Sequence, residues 1–134
     1  MRALEFASTI AQEAGGQLAV LHTVEFPSGD PGADASWATQ TVADYFAQAR
    51  AESAVRLTEA VPAEVSEYCE VETVLTAGSP YREILREAEN RQSDLIVLGV
   101  HGRNPIDVML FGSTVYQVLR RARCPVLTVG SPAA

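Results

Sequence analysis

Four short apolar runs govern what this chain can fold into: LAVLHTV within Gln17–Val24, the stretch Val71–Ala77, DLIVLG at Asp94–Gly99 and CPVLTV at Cys124–Val129. Each has the length of a strand, and the first and third are apolar enough to be covered on both faces. Between them, apolar residues recur at helical spacing. Strand and helix therefore alternate along the chain, which predicts parallel strands joined by right-handed crossovers with helices on both faces. The fold class is α/β, a doubly wound parallel sheet, in one domain spanning residues 1–134. At 134 residues and 47% apolar content the chain can fill one core.

The helical segments carry their own punctuation. Ala3, Phe6, Ala7, Ile10 and Ala14 form one apolar stripe, and Gly15-Gly16 ends it. A loop rich in proline, glycine and aspartate runs from Glu25 to Ala35, before a long helix from about Ser36 to Ala60 with Val42, Tyr45, Phe46 and Ala49 on one face. Ser79-Pro80 makes a helix entry, with serine as cap and proline in the first turn, ahead of Tyr81, Ile84, Leu85 and Ala88. Gly112-Ser113 is expected to open the last helix, whose buried face is Val115, Val118, Leu119 and Ala122. The second strand is less apolar than the first, which places it nearer an edge.

Composition excludes several functions. The net charge is -7, and all ten basic residues are arginines. Phosphate-backbone binding wants a basic patch, so no nucleic acid is expected as a partner. No apolar run approaches the roughly 20 residues needed to cross a bilayer, and no signal peptide opens the sequence, so a cytoplasmic protein with no membrane partner is expected. Cys69 and Cys124 have no paired spacing and read as buried, reduced thiols, with no metal site.

Chemistry is concentrated in GVHGRNPIDVMLFGST, between the third strand and the last helix, where Gly99, Gly102 and Gly112-Ser113 are spaced G-x2-G-x9-G-S. In doubly wound sheets ligands bind beyond the carboxyl ends of strands, and this loop leaves such an end. Glycine lets a phosphate approach the backbone N–H groups, and a helix N-terminus at Gly112, Ser113 and Thr114 would add oriented donors and two hydroxyls. A purely structural explanation stands beside this one: Gly99 ends a strand, and Gly112-Ser113 caps a helix. The loop is neither a Walker A sequence, which needs a lysine, nor a dinucleotide fingerprint.

From Asp94 to Gly130 the sequence resembles the carboxyl-terminal half of the universal stress protein family, whose ATP-binding members carry the same G-x2-G-x9-G-[S/T] spacing between an LIVLG-type and a CPVLTV-type strand. The LHTV of the first strand extends the resemblance over nearly the whole chain. The resemblance implies an adenine-nucleotide alpha-hydrolase-like fold, ATP with or without Mg²⁺ as ligand, and a regulatory or protective role in stress. It places Gly99 and Gly102 near the ribose and α-phosphate, Gly112, Ser113 and Thr114 at the phosphates, and Val24 near the adenine. Arg103 is a phosphate partner or a solvated arginine, and His101 a hydrogen-bond partner of ribose or phosphate. A homodimer through the last strand, Pro125 to Val129, is also implied, since that strand would be an edge.

One departure matters. Family members begin with an ILVAVD-type strand ahead of the first helix, lying between the strands that correspond to LAVLHTV and DLIVLG, whereas this sequence opens at Met1-Arg2-Ala3. The absent stretch carries the aspartate that contacts the base. Without it, the two apolar strands are expected to close the gap directly, to borrow a strand from another copy, or to fold poorly. Two rival functions follow: an interaction module of the same fold without nucleotide binding, and a slow ATPase. The second is disfavoured by the absence of lysine and of a general base facing the loop.

Overall fold

The computed structural model describes residues 2–25, 35–100 and 105–130, with the backbone alone over 35–42 and 105–112. The elements follow in the order α1 (Arg2–Ala14), β1 (Gln17–Val24), α2 (Ala35–Ala60), α3 (Val65–Tyr68), β2 (Glu70–Ala77), α4 (Pro80–Asn90), β3 (Ile96–Val100), α5 (Pro105–Arg121) and β4 (Val126–Gly130). The alternation read from the sequence is present, and the class is α/β with parallel pairing throughout the described strands.

Local chemistry sets the boundaries. α1 ends in a Schellman turn: Gly15 adopts φ +63, its N–H reaches the Gln12 carbonyl, and the Gly16 N–H reaches that of Ala11 at 2.8 Å. α4 begins where the sequence indicated, with Ser79 extended at the cap and Pro80 in the first turn, although the serine hydroxyl makes no capping bond. Its end repeats the Schellman geometry with a non-glycine residue, Gln92 at φ 52, while the Ser93 N–H bonds the Ala88 carbonyl.

Two expectations are corrected. The third strand runs Ile96–Val100 rather than Asp94–Gly99. More consequentially, the last helix starts at Pro105, not at Gly112. Proline fixes φ near −65° and is pre-organised for the first helical position, and one glycine inside a helix costs only about 1 kcal/mol, so the earlier start wins.

The sheet is divided. β1 pairs with β2 from Gln17↔Glu70 to Val24↔Ala77, and β3 pairs with β4 from Ile96↔Val126 to Val100↔Gly130, but β1 and β3 belong to separate two-stranded sheets. Direct closure of the gap, one of the three expected outcomes, is not the one observed. β2 and β4 are edges, as anticipated. α1 spans the division, packing on β3, β4 and β1. Its first turn lies at the carboxyl ends of β3 and β4, where Ala3 meets Gly99 and Arg2 reaches Gly130, and its last turn delivers the chain to the start of β1. β1 therefore runs in the same direction as β3.

Among the described residues the buried apolar set is Ala7, Ala11, Val24, Leu57, Ile96, Val118 and Val129, with only Val118 fully enclosed. Phe6, Ile10, Tyr45 and Leu119, all on helix faces expected to be buried, remain exposed. A helix stripe is covered only as far as the surface beneath it extends, and here that surface is two narrow ribbons. The thiols of Cys69 and Cys124 are unpaired and half-buried, not fully buried.

Candidate functional site at the carboxyl ends of the strands

β1 and β2 end together. Val24 is buried as the last residue of β1, and its carbonyl accepts the Gly78 N–H at 3.0 Å. One residue earlier on each strand, the hydroxyls of Thr23 and Thr76 lie 3.1 Å apart. Gly78 turns the chain into α4 with φ +137, a conformation that side-chain-bearing residues avoid. The buried Glu83, from the first turn of α4, packs against this glycine: a Cβ there would stand 3.2 Å from Glu83 Oε1. Arg86, one turn along the helix, pairs with the Glu83 carboxylate. A carboxylate in the first turn also complements the helix dipole. This end of the molecule is thus lined by hydroxyls, a neutralised acid and a constrained turn.

The third strand contributes Gly99. An ideal Cβ on it would lie 3.3 Å from the Ala3 Cβ, so the glycine has a packing role: it lets α1 approach the strand. His101, Gly102 and Arg103 lie outside the described residues. Gly112, Ser113 and Thr114 sit along α5 rather than at its start, so the expected helix N-terminus at Gly112 is not formed in this conformation. Residues that far into a helix direct their N–H groups to carbonyls four residues back. Ser113 is exposed and Thr114 half-buried. The fold therefore brings Val24 and Gly99 to the same ends of their strands, while the second half of the glycine motif is held in helix.

A concavity of about 250 Å³ escaped the sequence reading; it is lined by Arg2, Phe6, Leu127, Thr128, Val129 and Gly130. Arg2 sits above the Phe6 ring and donates to the Gly130 carbonyl at 3.4 Å. Its walls come from the two ends of the chain, and nothing local in either segment announces their meeting. Among the described residues no cluster of His, Cys, Asp or Glu could hold a metal, and no helix is long and apolar enough to cross a membrane.

Electrostatics elsewhere are those of surface pairs. Arg91 grips Glu72 with two nitrogens at 2.8 and 3.0 Å and reaches Glu87 at 3.1 Å. The Arg91 hydrogen bonds and charge hold the Glu72 carboxyl below its ordinary range. Arg82 donates to the Tyr81 hydroxyl at 3.0 Å and lowers that phenol in the same way.

Comparison with known proteins gives consistent results. The model of the universal stress protein family matches residues 1–130. Universal stress protein MJ0531 of Methanocaldococcus jannaschii is 39% identical over 62 residues, which are 46% of this chain and 36% of that protein. Universal stress protein A homolog 2 of Coxiella burnetii is 50% identical over 46 residues, 34% of this chain and 31% of its own. The matched stretch thus spans about a third of these curated relatives. Among solved structures, universal stress protein UspA from Lactobacillus plantarum aligns with a TM-score of 0.68 at 25% identity, covering 96% of this chain and 87% of that one. The structure of protein MJ0577 aligns at 0.72 and 21% identity over 98% of this chain and 88% of that chain. A universal stress protein solved in complex with cAMP aligns at 0.57 and 22% identity over 96% of this chain and 85% of that chain. The last two likenesses establish the fold.

Proposed function

The chain belongs to the universal stress protein family, and on that premise we propose that it binds an adenine nucleotide, ATP in the first instance, and transmits occupancy to partners as a regulatory or protective stress protein. The observation that carries this reading is the G-x2-G-x9-G-S spacing that begins at Gly99, in β3, at the carboxyl end of a parallel sheet. Glycines at that position permit the close backbone approach that phosphates require. The cAMP bound to one structural relative is of the same ligand class. Val24, Gly99, His101, Gly102, Arg103, Gly112, Ser113 and Thr114 are the proposed contacts. For Gly112, Ser113 and Thr114 to present free amides, the first turns of α5 must open, so nucleotide binding is coupled to partial unwinding of that helix.

A second reading has its own observation. With α5 starting at Pro105, the amides of the motif's second half are engaged in the helix, which suits an interaction module that takes no nucleotide. Self-association is proposed through the outer edge of β4, which has no neighbour on that side in the described sheet. Mass spectrometry of small molecules released on denaturing the purified protein separates the two. An adenine nucleotide near one equivalent supports the first, and its absence after incubation with millimolar ATP and Mg²⁺ supports the second. Turnover of that ATP would add the slow ATPase reading.

A further inference from the structure

The two ribbons are held side by side without being joined. α1 packs on both, and α4, which packs on β1 and β2, meets α5, which packs on β3 and β4. Side chains tie the halves together at two points: the Arg121 guanidinium lies 5.7 Å from the Tyr81 ring centre, and Arg123 reaches Glu89 at 3.1 Å. Between the ribbons run two strand edges that face each other across the division and point the same way.

The unpaired groups on these edges can be named. Backbone groups of successive strand residues point to opposite sides. The Val24 carbonyl faces β2, because it accepts from Gly78, so Thr23, Leu21 and Ala19 present their N–H and C=O groups to the open side of β1. The Ile96 N–H faces β4, because it bonds the Pro125 carbonyl, so Val97 and Gly99 present theirs to the open side of β3. Parallel strands are normally interior elements covered on both faces, and two-stranded sheets are marginal alone. Yet in these two apolar strands only Val24 and Ile96 are buried. Both ribbons thus lack the same neighbour.

We propose that the space between β1 and β3 is an acceptor site for one additional strand, donated by a partner chain as an extended apolar peptide running parallel to both. The occupant's backbone would bond Ala19, Leu21 and Thr23 on one side and Val97 and Gly99 on the other, and its alternate side chains would meet α1. β-Branched aliphatic residues fit a strand buried in this way. A second copy of this chain is not the donor, because each described strand is already committed to a ladder and the described segments between them are helical. Copies have the outer edge of β4 on which to meet instead.

The test uses a synthetic peptide of six alternating valines and isoleucines flanked by lysines, with a control peptide N-methylated at every second residue. On the intact protein, the plain peptide should slow hydrogen exchange at Leu21, Thr23, Val97 and Gly99 at least tenfold and leave Val126 and Thr128 on the outer edge of β4 unchanged. The N-methylated control should do neither. Val97→Pro removes one N–H that faces the space while sparing those that pair with β4, and proline is tolerated on edges. This variant should keep the urea midpoint and bind the peptide at least tenfold more weakly; if it does not fold, the N-methylated peptide supplies the same comparison on the unaltered protein. Protection confined to β4, equal binding of both peptides, or a purified dimer whose Val97 and Leu21 amides are already protected would overturn the proposal.

Discussion

Replacing Gly78 with alanine probes the turn that sets the end of β2 against α4. Two costs combine there. A residue with a side chain is forced to φ +137, a region worth about 1–3 kcal/mol of strain. Its Cβ would also stand 3.2 Å from Oε1 of Glu83, a buried carboxylate that cannot swing freely because Arg86 holds it. Gly15 supplies the internal standard: it too has positive φ, at +63, but nothing lies within 4 Å of a Cβ placed on it, so Gly15→Ala should cost only about 1 kcal/mol. Gly78→Ala should exceed that, at about 2–3 kcal/mol, a large share of a total domain stability of about 5–15 kcal/mol. Urea denaturation followed by circular dichroism reads both, with m unchanged and the midpoint lowered. Adding Glu83→Ala to Gly78→Ala should recover the steric part, giving a double variant less destabilised than the sum of the singles. Equal losses for Gly15→Ala and Gly78→Ala, or strict additivity in the double variant, would refute the geometry assigned to this corner.

Further expectations follow from other corners of the structure. Gln92 occupies the left-handed position after α4 at φ 52, where glycine is preferred, so Gln92→Gly should raise stability by about 1 kcal/mol in the same urea assay. Arg91 holds the Glu72 pKa below its reference of 4.5, so the folded state binds that proton less readily than the unfolded chain. The pair's contribution is therefore complete above pH 4.5 and is lost as pH falls through the lowered folded value. Glu72→Gln should flatten the fall in urea midpoint between neutral pH and about pH 3; an unchanged slope would show that the pair is not maintained in solution.

How much was legible depends on the range of the interaction. α1, β1, β2 and the Ser79-Pro80 entry to α4 were readable because glycine, proline and short apolar runs act within a few residues. The start of α5 was not, because two start signals compete: Pro105 at the first helical position and Gly112-Ser113 as a cap, with the proline prevailing. The single turn α3 carries too few residues to show a period. The spacing of the candidate glycines was plain, but spacing cannot separate a glycine that admits a phosphate from one that admits a helix. Gly99 against Ala3 is the latter in this conformation, and that contact joins opposite ends of the chain. The exposure of Phe6 and Ile10 was equally hidden, since a helical stripe says nothing of whether the sheet beneath it is continuous.

Nucleotide binding at the glycine motif is tested most directly by isothermal titration calorimetry of ATP, with and without Mg²⁺, into the protein and into Gly112→Val. Saturable binding near one equivalent, at least tenfold weaker in a Gly112→Val variant whose helical circular dichroism is retained, is the predicted result. Equal affinity in the two proteins, or no binding heat to either at millimolar ATP, would contradict it.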